Sequence, residues 1–134
     1  MAMERAFKKE IDSLEAIFAF VDEFRLQEPI PDEPLYAVNL ALEELFTNMV
    51  KYHPESRRDV VIRLERVADA LVGTLTDSDV EPFDVTLVPA PAEPPLAKSH
   101  PGGLGLHLVR QMVDDLRYAH ADGRSTVIFV KKLR

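Results

Sequence analysis

The chain has no cysteine and no tryptophan among its 134 residues, only five glycines, and no long uninterrupted apolar run. Without cysteine there is no disulfide framework and no thiolate metal site, a composition that suits a cytoplasmic protein. A membrane span needs about 18 or more consecutive apolar residues, so a soluble protein is expected. The opening MAMERAFKKE carries charge with no apolar h-region, and no secretory leader is expected there. Concentrated positive charge is also scarce. The net charge is −7, and basic residues are scattered apart from Arg57–Arg58 and a terminal group of Lys131, Lys132 and Arg134. A binder of phosphate backbone usually shows a basic stripe, so direct nucleic-acid binding is not expected. The terminal group reads as a solvated strand end.

What is present fits one globular domain over residues 1–134, with 46% hydrophobic and 29% charged residues. A domain of this size buries about two thirds of its unfolded surface. A short strand is expected near Arg5 to Lys9, then a helix over IDSLEAIFAFVDEFRLQE, capped by Asp12 or Ser13, with Leu14, Ile17, Phe18, Val21, Phe24 and Leu26 at helical spacing. The prolines of EPIPDEP break it. A second helix runs from about Leu35 to Tyr52, its buried stripe formed by Leu35, Val38, Leu42, Leu45, Met49 and Tyr52. DVVIRLERV and ALVGTLTDS read as paired strands around a turn near Ala68 to Ala70. Val80 to Pro101 is rich in proline and reads as a long loop. A third helix follows over roughly Gly105 to Asp115, its Leu106, Val109, Met112 and Val113 turned inward, and LRYAHADGRSTVIFVKKL forms a hairpin about Asp122–Gly123. The order predicts an α+β fold in which a single, mostly antiparallel sheet is covered on one face by three helices.

Three constellations could carry chemistry. Glu44 and Asn48 lie four apart on the second helix, one turn above each other at the margin of its apolar stripe. An amide oxygen there suits a hard cation, and a carboxylate can accept a proton. Asp77 ends an apolar strand, where it can hydrogen-bond an exocyclic amine. Gly102, Gly103 and Gly105 open an amphipathic helix whose free amides suit an anion. Each has a plain structural alternative: an exposed helix pair, a turn-forming aspartate, a loop that ends where a helix begins. No GxxxxGK[ST] is present, and GGLGLHL lacks the third glycine of a dinucleotide fingerprint. The four histidines show no zinc spacing, and there is no GxSxG elbow.

Taken in order, Glu44 and Asn48, then Asp77 with Pro82 to Asp84, then GGLGLHLVRQMVDDLRY, the chain resembles the GHKL (Bergerat-fold) ATPases over nearly its whole length. Within them it is most similar to the bacterial anti-sigma-factor serine/threonine kinases. The resemblance implies a histidine-kinase-like ATPase fold with ATP and Mg²⁺ as cofactors. It makes Glu44 the catalytic base, Asn48 the magnesium ligand and Asp77 the adenine-binding aspartate. Asp79 and Phe83 then stand beside the nucleotide, residues 85–101 form a mobile ATP lid, and Gly102, Gly103, Leu104, Gly105 and Leu106 receive the phosphates. Lys51, one turn beyond Asn48, is placed to contact phosphate. The implied partners are a STAS-domain anti-anti-sigma factor, phosphorylated on serine, a sigma factor that is sequestered, and a second copy of the chain.

Two positions depart from that pattern. Asp77-Ser78-Asp79 stands where the family carries DxG, so a negative side chain is expected where backbone and nucleotide approach. Lys51 and Tyr52 replace a common histidine-glycine pair. A domain of the same fold that switches partners without turnover is the competing expectation. A stand-alone histidine sensor-kinase domain is a third.

Overall fold

Valine-rich alternation and turns that demand positive φ build the sheet. The computed structural model describes residues 1–52, 56–87 and 103–134. In it β1 (Ala2–Phe7) edges β2 (Val60–Val67), which pairs with β3 (Ala70–Ser78) around a turn at Ala68, φ 54°. β5 (Arg124–Lys132) lies between β3 and β4 (Asp115–Ala121). Asp122 and Gly123, φ 55° and 74°, close the β4–β5 hairpin. An aspartate-glycine pair tolerates the two left-handed residues that a twisted two-residue turn needs. The strand order is β1-β2-β3-β5-β4, antiparallel at every pairing.

Against one face of this sheet lie α1 (Leu14–Gln27), α2 (Asp32–Tyr52) and α3 (Gly103–Met112). Ile17, Phe20, Val21 and Phe24 of α1 are wholly buried, as are Val38, Leu42 and Phe46 of α2 and Ile62, Leu64, Leu71, Leu75 and Phe129 of the sheet. Leu106 and Val109 of α3 join the same cluster. Gly73 faces Phe129 across β3 and β5, and a Cβ there would fall on the phenyl ring, so the missing side chain makes room for the ring.

Several expectations need correction. Leu26 is 86% exposed and Phe20 takes its place in the core, because positions 17, 20, 21 and 24 share one face of the helix. Ser13 makes no capping bond. A 3-10 turn, Ile11–Ser13, leads into α1, and the Ser13 hydroxyl donates instead to the Lys8 carbonyl at 2.7 Å. α2 starts earlier than expected because Pro34 falls in its first turn, where amides have no intrahelical partner anyway. Asp32 and Glu33 favour that positive end. α3 stops at Met112 rather than Asp115, since the Asp114 amide donates to the Val130 carbonyl and starts β4. The terminal basic group is not merely solvated: Lys131 Nζ donates to the Met112 carbonyl at 2.9 Å and so caps α3.

Candidate functional site

The regular stripe of α2 sends Leu45 and Met49 into the core and brings Glu44 and Asn48 to the side of the helix that faces α3 and the end of β3. Gly105, in the first turn of α3, packs against Glu44 so closely that a Cβ at 105 would fall on the carboxylate, with Glu44 Cγ at 3.2 Å. Only glycine lets the two helices meet this way. Burial raises the Glu44 pKa above its ordinary value, the neighbouring Glu43 raises it further, and Lys51 partly opposes both. A carboxyl so tuned moves toward the range where a general base works near neutral pH.

One turn on, Asn48 is 4% exposed, and its Oδ1 has no hydrogen-bond partner among the described residues. A buried amide oxygen without a partner costs free energy, so this atom asks for a ligand. It borders a small cavity of about 10 Å³, shared with Met49, Asp77, Phe83, Tyr118 and Ser125. That volume holds about one water. Asp77, next to the end of β3, is fully buried, and Lys9 Nζ lies 2.5 Å from its Oδ1, with the lysine side chain only 4% exposed. Phe83 covers the cavity and stacks on Tyr52 at 5.3 Å with an 11° interplanar angle. Tyr52 therefore leaves the core stripe expected of it and is 43% exposed. The Phe83 amide donates to the Tyr118 hydroxyl at 2.9 Å, and His120 Nε2 meets the Val80 carbonyl at 2.8 Å, so β4 pins residues 80–83 in place.

The remaining expected residues are placed as follows. Asp79 takes the left-handed conformation, φ 59°, which a glycine would adopt without strain and an aspartate tolerates. Its carboxylate is exposed and pairs with Arg58 at 3.4 Å, and it does not line the cavity. The side chain expected to crowd the nucleotide thus points to an exposed arginine. Lys51 is exposed. Leu106 is in the core, 2% exposed, and offers a ligand only main-chain atoms. Gly103 and Leu104 open α3. Gly102 lies outside the described residues. At the start of the expected lid, Val85 is 3% exposed and packed in the core, and Asp84 Oδ1 accepts bonds from the Thr86 amide and hydroxyl to close the turn Val85–Leu87. The rest of the expected lid, from residue 88, lies outside the described residues.

Tyr52 is read from the sequence as a residue of the core stripe, whereas Lys9, Tyr118 and Ser125 are residues that sequence reasoning missed. No local signal marks them, for each reaches the site through strand pairing or packing rather than through a motif. Among the described residues, the buried polar or charged ones are Asn48, Ser56, Asp77 and Ser125. All belong to this end of the molecule: Ser125 pairs with Asp77 across β3 and β5, and Ser56 donates to the Ser78 carbonyl.

No cluster of three His, Cys, Asp or Glu suited to a metal occurs among the described residues. A divalent cation would therefore find one neutral oxygen, Asn48 Oδ1, and need its other ligands from a bound phosphate and water. Mg²⁺ keeps this habit of few protein ligands, and the partnerless oxygen fits it.

Comparison with known proteins bears on the fold and the family. No curated protein matches the chain. Among solved structures, the chain is similar to that of the RsbU and RsbW domains of Rv1364c from Mycobacterium tuberculosis, with TM-score 0.72 and 13% identity over 99% of this chain. It spans about a third of that structure, 32%. The histidine kinase domain of the blue-light activated kinase from Erythrobacter litoralis EL346 matches with TM-score 0.55 and 22% identity, covering 77% of this chain and 46% of the other. The Acinetobacter baumannii histidine kinase AdeS matches with TM-score 0.56 and 14% identity, covering 98% of this chain and 68% of that one. At such identities these likenesses speak for the fold alone. A family model for the histidine kinase-like ATPase domain matches residues 7–131, nearly the whole chain, and the chain belongs to that family.

Proposed function

We propose that this domain binds Mg²⁺-ATP between α2, α3 and the end of β3. We further propose that it transfers the terminal phosphate to a serine or threonine of a STAS-domain partner, and holds a sigma factor in a state-dependent complex. The observation that carries the reading is the contact of Glu44 with Gly105. It sets a carboxylate of raised pKa against the start of a helix whose first amides have no intrahelical partners, one turn from the partnerless Asn48 oxygen.

In this reading the amides at the start of α3 hold phosphate oxygens, as helix N-termini do. Glu44 orients the incoming hydroxyl and takes its proton at the carboxylate. Asn48 Oδ1 holds the cation, whose charge, when bound, neutralises the phosphate oxygens. Asp77 accepts a hydrogen bond from the base, and Phe83 with Tyr52 shields the base from water. Burial by Leu45 and Met49 keeps the floor of the site apolar, which strengthens each polar contact. The STAS and sigma partners rest on the resemblance of the sequence and on the fold match to a structure of RsbU and RsbW domains.

The test is transfer of labelled phosphate from ATP to a purified STAS partner. Glu44→Ala should abolish transfer and leave nucleotide binding within about twofold, since the carboxylate acts on the hydroxyl and not on the phosphates. Failure of the wild type to bind Mg²⁺-ATP at millimolar concentration would remove the reading. A second reading, a partner-switching domain without turnover, is favoured by the small closed cavity beside Asp77. It predicts partner capture that ATP does not change.

A further inference from the structure

Lys9 reaches Asp77 beside the small cavity, although the lysine is not among the residues that line it. This inference rests on taking the cavity beside Asp77 as the base site. A neutral amine on a purine would have to compete for the carboxylate with an ammonium 2.5 Å away. Both donors would meet an ionised acceptor, but only the ammonium brings a full opposite charge, so a neutral amine competes poorly for Oδ1 while the ammonium stays. The cavity itself, at about 10 Å³, has no room for a purine ring.

The lysine has somewhere to go. Its stem borders an outer hollow of about 520 Å³ between the end of β1 and the loop before β2, in which Glu10 and Asp59 offer alternative carboxylates beside Val50. The main chain around it is tethered: the Lys8 carbonyl accepts bonds from the Glu10 amide at 2.8 Å and the Ser13 hydroxyl at 2.7 Å. Rotation of the Lys9 side chain would carry its charge from the inner carboxylate toward the outer pair, which lines the same hollow.

We propose that Lys9 is a base-competing gate. It occupies Asp77 when the site is empty, and purine binding requires its ammonium to swing out toward Glu10 and Asp59. Lys9 thereby sets the affinity for the base and leaves the affinity for phosphate alone. A site open about one tenth of the time loses about tenfold in apparent affinity, and removal of the gate returns that factor.

The experiment titrates the full chain, as wild type and Lys9→Ala, with Mg²⁺-ATP and separately with magnesium tripolyphosphate. Lys9→Ala should bind ATP about tenfold more tightly, with tripolyphosphate unchanged. If the wild type binds ATP and Lys9→Ala binds it equally or more weakly, the gate is wrong and the base site stands. If neither protein binds ATP, the base site falls and the gate with it. Because alanine leaves a buried carboxylate behind, a second measurement uses the wild type alone: acylation of the Lys9 amine, read by mass spectrometry, should rise severalfold at saturating ATP. Unchanged or reduced acylation overturns the proposal.

Discussion

The α1 side of the molecule and the seam between α2, α3 and the end of β3 are built on opposite rules. Beneath α1 the interior is apolar: Ile17, Phe20, Val21 and Phe24 are wholly buried, and Phe7 meets Phe20 edge to face at 5.6 Å. Charge stays outside, as in the exposed Arg5–Glu23 pair at 2.7 Å. Along the seam, a carboxylate, an ammonium and an amide oxygen are taken out of water within one small region. Burying polar groups costs free energy unless they are fully partnered. One region therefore supplies stability, and the other spends part of it on the polar groups of the proposed site.

The largest expected effect tests the first half of that contrast. Phe20→Ala removes a fully buried ring and should destabilise the fold by about 3–5 kcal/mol, measured by denaturant unfolding, while ATP affinity of the folded fraction stays as it was. Gly105→Ala tests the second half. Its new methyl must push the Glu44 carboxylate aside, so phosphate transfer should fall by about 100-fold, typical of a lost proton acceptor. Thermal stability should change by less than about 1 kcal/mol, because alanine favours a helix over glycine by a similar amount. A variant that melts early but transfers normally would blur the division between the two regions.

A smaller effect carries a sign. Burial holds the Glu44 carboxyl above its ordinary value, so its charged form weakens the fold. That cost is absent below the ordinary carboxylate pKa, about 4.3, and complete once the pH has risen through the raised value. Glu44→Gln should then be more stable than wild type at pH 7, by about a few tenths of a kcal/mol because solvent screens a half-buried group. The gain should vanish near pH 4, as melting curves at the two pH values will show. Smallest of all, Arg58→Ala breaks only the exposed pair with Asp79 and should shift stability by about 0.2 kcal/mol or less.

The parts of this structure legible in the sequence are those set by local periodicity and turn chemistry. Val38, Leu42, Leu45 and Met49 mark the buried face of α2 by their spacing alone, and Asp122–Gly123 marks its hairpin. The order of elements was enough for the α+β class. Lys9 was not legible, because nothing near it in the chain announces Asp77, and their meeting depends on the β1–β2–β3 pairing. Phe20 and Leu26 exchange roles for a similar reason: two adjacent helical faces are both partly apolar, and the sheet selects one. The proline-rich stretch after Val80 reads as a loop, yet Tyr118 and His120 fasten its start and Val85 enters the core. Proline content reports missing amide donors, not missing contacts.

The cap that Lys131 places on α3 has a mechanical corollary. The heel of that helix is fastened to an interior-paired strand through the Met112 carbonyl, while its toe is a glycine turn resting on a carboxylate. A rod clamped at one end tilts about the clamp, so any adjustment to an arriving ligand is greatest at the toe and fades toward β5.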